Sequence, residues 1–475
     1  MSVRIQEQDL RNLFASCADV QLQTHRFGIE PHEEKVLFLF CTGLVDSMQV
    51  NLLIPTLEQS NRLPLIPVLL EENQNVVLQQ IVQKVFAGEL LLYFGQTEEL
   101  FSLNFSKVPQ RQPEESVYEV SVKGPRDSFT ESLETNVALL RKRVRSTTLC
   151  NESFVIGKRS QTKVSLLYLS DVINTEVLEE ARARLNSVDV DIVNGVSPLE
   201  ELLADSPFSL VPLISFITRP DYVVESLQRG RFSILIDGAP AALVAPVNIL
   251  YLIKSSEDTY MTFYYVTIER LLRYIGLLIA ALLPGFYVSL VSYHLDHLPF
   301  HLLATFTLNS YGIPIPPTAQ VILMLILFEL LAEAGMRLPK AVGPTVTVVG
   351  GLIVGDTLIR SGLMPANVVV IVAITLMSQF VLVNQAFGSS VIFMRVIVLI
   401  SSSVLGFVGF VVANFLILLY LTTLKSFGMP FMADWVDPKK LDLLKSYLML
   451  PKPFLRRAPK FLKTKTKQKQ GDDSQ

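Results

Sequence analysis

The sequence predicts an α/β soluble N-terminal region of two lobes followed by an α-helical polytopic membrane domain. Three observations carry that prediction. Of 475 residues, 50% are hydrophobic and only 18% charged, and a mean hydropathy of +0.41 is too apolar for a soluble chain of this size. Charge is also segregated, since only nine of the 85 Asp, Glu, Lys and Arg residues fall in the 154 positions from Leu271 to Leu424. The part before Leu271 mixes strand-like and helix-like apolar periods, and at ~100 to 200 residues per domain it holds one large or two small lobes. A single-domain soluble enzyme is excluded.

From the N-terminus, Met1 to Leu10 has no apolar run behind a basic start, so no secretory signal peptide is expected. Val36–Phe40 and Glu89–Phe94 read as strands and Val76–Phe86 between them as a helix, which gives a first lobe over 1–105. Residues 106–116 carry two prolines and no apolar period and read as a linker. A second lobe follows over 117–256. Its strands are Val117–Lys123, Lys163–Leu169, Arg231–Asp237 and Ala241–Val247, and its helices Ser128–Arg145, Thr175–Leu185 and Asp221–Gln228. Ser128 and Glu131 have capping-box spacing, and Arg141, Lys142, Arg143 and Arg145 complement the negative end of that helix. The functional alternative is an anion or lipid-headgroup site built from Gly124, Arg126 and the basic cluster.

Cys17, Cys41 and Cys150 show no CxxC spacing, which points to a reducing compartment rather than a disulfide scaffold. There is no GxSxG elbow, Walker A loop, HExxH or Rossmann fingerprint, so neither an enzyme nor a cofactor is expected. Asp237-Gly238-Ala239-Pro240 reads as a turn. His294, His297 and His301 have helical spacing beside Asp296, but Pro299 interrupts the helix and a membrane edge accounts for the cluster, so no metal is expected. A net charge of −3 gives no footprint for nucleic acid.

The membrane domain, 257–424, contains five apolar segments: Leu271–Tyr293, Thr318–Gly335, Ala341–Ile359, Ala366–Phe387 and Val396–Leu424. A bilayer core of ~30 Å needs about 20 residues, which the first, fourth and fifth supply. Arg270 and Arg273 at the start of the first segment, and twelve Lys or Arg against five Asp in the tail 425–475, place both termini on the cytoplasmic side. The basic tail can rest on anionic membrane lipid. An even number of crossings then leaves one segment that does not span. Thr318–Gly335 is the choice, because Glu329 and Glu333 share one face, although the third segment stays open.

Intramembrane charge makes Glu329, Glu333, Asp356 and Arg395 functional candidates, unless they pair, as Glu333 can with Arg337 or Lys340. Thr345, Thr347, Val349, Gly351 and Gly355 of the third segment suit either a pore wall or close helix packing, with Glu329 and Glu333 at the pore mouth or gate. A helix Glu257–Tyr274 leads from the second lobe into the first span. Its apolar residues Phe263, Tyr264, Val266 and Ile268 suggest burial against neighbours, and Arg126, Glu269 and Arg273 are the coupling residues expected around it.

At Lys123-Gly124-Pro125-Arg126 with Phe129–Leu133, at Arg231–Gly238, Glu269–Gly276, Phe328–Pro339, Val349–Gly355 and Lys425–Pro430, the chain resembles the GerA family, the A subunits of spore germination receptors. These motifs occur in the family's order from Val117 onward, while the first lobe carries little of the likeness. Asn309–Gly312 and Val381–Asn384 depart from the family pattern. The resemblance implies a multi-pass subunit of the spore inner membrane, a homo-oligomer forming a nutrient-gated ion channel. It also implies two partners, a transporter-like B subunit and a lipoprotein C subunit. The alternative is a membrane scaffold of the stage V sporulation type without its own ion pathway.

Overall fold

The computed structural model describes residues 6–27, 34–59, 66–67, 74–107, 123–339, 343–433 and 448–449. The first lobe contains α1 (Glu7–Leu13), β1 (Val20–Phe27), β2 (Glu34–Cys41), α2 (Ser47–Gln59), β3 (Ile66–Pro67), α3 (Gln74–Val85), β4 (Glu89–Phe94) and β5 (Glu99–Asn104). Its strands form one antiparallel sheet in the order β1-β2-β4-β5-β3. Strand β2 is apolar at nearly every position because both its faces are covered. Leu37, Leu39 and Cys41 pack with Leu10, Ile81 and Val85, whereas Val36, Phe38 and Phe40 pack with Val50 and Leu53 of α2. A strand buried on both sides loses the alternation of a half-exposed one.

The second lobe repeats this plan with α4 (Leu133–Arg143), β6 (Leu149–Ile156), β7 (Thr162–Leu169), α5 (Thr175–Ser187), α6 (Val196–Leu203), β8 (Ser215–Ile217), α7 (Pro220–Gln228), β9 (Phe232–Ile236), β10 (Ala242–Ala245) and α8 (Ile249–Ile253). The sheet order is β6-β7-β9-β10-β8, again antiparallel. Helices α5 and α6 cover one face and α4, α7 and α8 the other. Asp19 of the first lobe accepts two bonds from the Arg141 guanidinium, at 2.7 and 2.8 Å, and the two side chains are 3% and 0% exposed. The buried Cys41 thiol donates to the same carboxylate at 3.4 Å, and burial together with Asp19 pushes that thiol well above its ordinary range.

The helix expected from Ser128 begins later. Its cap is Ser132, whose hydroxyl accepts from the Thr135 amide at 3.4 Å. Upstream, the Asn136 side chain holds Thr130 from both directions, accepting from its amide and donating to its carbonyl, and Phe129 enters the core. Those bonds keep 128–131 out of the helix. Strand Val117–Lys123 lies outside the described residues except for Lys123, as does the linker beyond Lys107.

The C-terminal region consists of α9 (Phe263–Tyr293), α10 (Phe300–Ser310), α11 (Pro317–Arg337), α12 (Gly343–Arg360), α13 (Ala366–Phe380), α14 (Gln385–Thr423) and a short hairpin, β11 (Lys425–Ser426) with β12 (Met429–Pro430). Helix α14 is not a straight rod. Asn384, just before it, donates to the Ser215 hydroxyl at 3.4 Å, and Ser426, just after it, donates to the Leu213 carbonyl at 2.6 Å. A straight helix of 39 residues would hold those ends ~58 Å apart. The chain instead reverses at Gly406, which has φ 61° and ψ −138°, into two antiparallel arms, 385–405 and 407–423. The Tyr293 ring packs on Gly406, and its hydroxyl donates at 2.5 Å to the Ser403 carbonyl freed by the break.

Neighbouring helices alternate in direction. Gly276 of α9 abuts the Ser378 carbonyl of α13, while Asn367 at the start of α13 donates to Tyr287 farther along α9 at 2.9 Å. Gly343 abuts the Gly335 carbonyl, and Gly350 and Gly351 each face Leu331, which pairs α12 with α11.

Two readings of the apolar segments need correction. The break between the fourth and fifth lies at Val381–Asn384, so residues 387–395 belong to α14. Asn384 caps α14 by accepting from the Phe387 amide at 3.0 Å, a polar signal hidden between apolar flanks. Helix α11 continues through Glu329 and Glu333, and over Pro317–Gly335 it is long and apolar enough to cross a membrane, as are α9 and α14. Its length therefore does not mark Thr318–Gly335 as the segment that falls short. Glu333 is paired with Arg337 one turn on, at 2.7 Å.

Candidate functional site

The second lobe grips the membrane helices at the entry to α9 and at both ends of α14, and the entry to α9 comes first in the chain. The Ser255 hydroxyl accepts from the Glu257 amide at 3.3 Å and starts a single turn over Ser256–Thr259. Two adjacent carboxylates thereby serve different partners. Glu257 accepts from the backbone amides of Lys123 and Gly124 at 3.1 and 3.3 Å and pairs with Arg219, which also holds Asp221 at 2.6 Å. A Cβ at position 124 would collide with the Arg219 guanidinium, which is why glycine follows Lys123. Burial and the Asp221 carboxylate push the neighbouring Tyr260 phenol up to about 12.

Asp258 accepts from Arg270 at 2.8 Å and from Arg273 at 2.9 Å, and all three residues are buried. Arg273 also donates to Glu269 and to the Ile253 carbonyl, both at 3.3 Å. Charge-assisted bonds of this kind are the strong class, and here one carboxylate ties the lobe to two positions of α9.

The second grip is on the exit of α14. The Ser426 hydroxyl accepts from the Val247 amide at 2.9 Å, and the Ile249 amide donates to the Phe431 carbonyl at 3.2 Å. Asp205 accepts from the Phe427 amide at 2.6 Å and pairs with Arg184, whose guanidinium lies over the Phe427 ring. Phe387, Leu421, Leu424 and Phe431 share one core with Val223, Leu250 and Leu252 of the lobe. Both ends of α14 and the start of α9 are therefore fixed to one soluble body.

Of the expected coupling residues, Glu269 and Arg273 sit in this junction, and Arg126 is exposed two positions past Gly124. The sequence reading missed Arg219, Glu257, Asp258, Arg270 and Ser426. The acidic pair 257–258 ahead of two arginines on one helical face was the available signal. Helix α9 begins at Phe263, not at Glu257. Val266 is buried, whereas Phe263, Tyr264 and Ile268 are exposed. Val266, Arg270 and Arg273 recur at four- and three-residue steps and take the inner face, which turns the others outward.

The expected pore residues divide between two sides of α12. Thr345 is exposed, and Val349 and Leu352, 47% and 72% exposed, belong to the same uncovered face. Gly351, with Gly350, instead lies against Leu331 of α11, where a Cβ would come within 3.3 Å. Gly355 is buried, and the Thr347 side chain is outside the described residues. Glu329 is exposed on α11, Asp356 pairs with Arg360 at 2.7 Å, and buried Arg395 donates to Gln379 at 3.1 Å. Among the described residues no group of His, Cys, Asp or Glu has the makings of a metal site.

The family model described as Bacillus/Clostridium GerA spore germination protein matches residues 8–461. Spore germination protein XA of Bacillus anthracis is 36% identical over 489 aligned residues, covering 99% of each chain. Spore germination protein B1 of Bacillus subtilis is 34% identical, covering 80% of this chain and 79% of that one. The crystal structure of the N-terminal domain of the A subunit of the Bacillus megaterium spore germinant receptor GerK3 gives a TM-score of 0.35 at 22% identity. That match covers 52% of this chain and 96% of that one.

Proposed function

Because the chain belongs to the GerA family of spore germination proteins, we propose that it is a membrane subunit of a nutrient-germinant receptor. In this reading copies of it oligomerise into a nutrient-gated ion channel in the spore inner membrane, with both termini cytoplasmic. The observation that carries the reading is the pairing of a clamped bundle with an uncovered α12. The lobe and the turn after it hold the start of α9 and both ends of α14 through buried and half-buried polar contacts, so a change in the lobe reaches the bundle through rigid elements. The face of α12 bearing Thr345, Val349 and Leu352 is exposed among the described residues, and a ring of copies would bring it to a common axis.

There, Val349 forms an apolar constriction beside the Thr345 hydroxyl, with Glu329 and Glu333 attracting cations toward the mouth. Gly351 serves this wall from behind, by letting α12 approach α11 closely. The receptor is completed by a transporter-like B subunit and a lipoprotein C subunit. Reconstitution of the complete receptor in liposomes tests the proposal, with nutrient-dependent ion flux as the expected result. Intact oligomers that pass no ions under any stimulus would leave a scaffold of the stage V sporulation type.

A further inference from the structure

Where α6 and the loop after it meet the first arm of α14, a cleft of about 320 Å³ opens at the lobe–membrane junction. It is lined by Ser197, Glu200 and Ser209 from the lobe and by Ser389, Ser390 and Phe393 from α14, and none of its lining residues is basic. Three of these serines have already committed their protons. Ser389 donates to the Gln385 carbonyl at 3.2 Å, Ser390 to Ala386 at 3.0 Å and Ser209 to Val211 at 2.8 Å. A hydroxyl whose proton is spent offers its neighbours only lone pairs. Glu200 adds a carboxylate that makes no hydrogen bond or ion pair among the described residues. Ser197 and Ser206 can turn as donor or acceptor, so the fixed groups of the cleft are the three committed serines and the carboxylates of Glu200 and Glu201, and its natural complement is a donor that carries positive charge.

We propose that this cleft binds a small organic cation, a primary ammonium on a short apolar tail, whose N–H groups donate to Glu200 and the serine oxygens while the tail lies along Phe393. The volume is at the low end for small-molecule sites, which limits the occupant to a compact one. The loop that forms one wall contains Asp205 and Leu213, which hold the Phe427 amide and the Ser426 hydroxyl, so an occupant touches the segment that fixes the exit of α14.

Burial pushes the Glu200 carboxyl up to about 7. The other charged groups nearby are Glu201 on the same helix and Asp205, the latter neutralised by Arg184; the α14 wall contributes no charge. A cation selects ionised Glu200, so affinity falls by up to tenfold for each pH unit below about 7.

The full-length protein in detergent, titrated calorimetrically with n-butylammonium, tests the proposal directly and does so whether or not the chain conducts ions. Saturable binding is expected, at least tenfold tighter than n-butanol or butyrate and weakening from pH 8 to pH 6. Glu200→Gln should lose at least tenfold in affinity together with the pH dependence. Ser389→Leu, which fills the cleft from the α14 side, should abolish binding, and Glu201→Gln should leave it within twofold, all at unchanged melting temperature. Equal binding of n-butanol, unchanged affinity in Glu200→Gln, or no saturable binding of n-butylammonium to the unaltered chain would each overturn it.

Discussion

Asp258 stands between two buried guanidinium groups, accepting from both. Asp258→Asn keeps the shape but strips Arg270 of its counter-charge and leaves Arg273 with Glu269 alone, and uncompensated buried charge costs about 3–5 kcal/mol. Thermal unfolding in detergent should show a clearly lower melting temperature for Asp258→Asn, and Asp258→Glu should recover part of it. An unchanged melting temperature would mean that the pair is solvated and holds nothing. The same residues show how far sequence reading reaches. Arg270 and Arg273 were legible as charges before an apolar run, which is a topological signal. Their partner was not, because it lies in an irregular turn 12 and 15 positions earlier and no helical or strand period connects them. At α12 the glycines were legible as small, but only three-dimensional contact assigns Gly351 to α11 and Val349 to the uncovered face.

Helix α9 joins the lobe to the bundle without a break from Phe263 to Tyr293, so its phase carries information. Two residues inserted after Thr267 rotate everything beyond by ~200°, which turns Arg270 and Arg273 away from Asp258 while leaving the lobe and the rest of the bundle intact. The expected outcome is an assembled receptor that no longer responds to nutrient; a normal germination response would contradict coupling through this helix. Strands β2, β4, β7, β9 and β10 were readable because they are apolar on one or both faces. Strand β1 was missed because five of its eight residues, Gln21, Gln23, Thr24, His25 and Arg26, are polar and break the apolar alternation after Leu22, and β8 because three residues carry no period. The reversal of α14 was also hidden. It depends on one glycine with positive φ and on the Tyr293 side chain packed against it, and hydropathy sees only one long apolar stretch on either side.

Across the whole molecule, α9, α11, α12, α13 and the two arms of α14 alternate in direction, so the lobe and the C-terminal hairpin lie at the same end of the bundle. The basic residues of the sequence point the same way, by a count of five segments with one incomplete rather than by six antiparallel rods. In a chain with its native cysteines replaced, single cysteines at the exposed position 8 and at position 470, the latter outside the described residues, should stay protected from an impermeant thiol reagent in intact cells and become labelled once the membrane is permeabilised. Leu405→Cys, beside the reversal of α14, should be labelled. Labelling of either terminus from outside would contradict the topology. If α12 lines a gated ion path, as proposed, Val349→Ala is the substitution that opens it. A smaller side chain at a constriction widens it, so spores carrying Val349→Ala at normal protein level should leak ions without nutrient. A contradictory result would be no nutrient-independent leak from Val349→Ala or from substitutions of Thr345 and Thr347 at normal abundance.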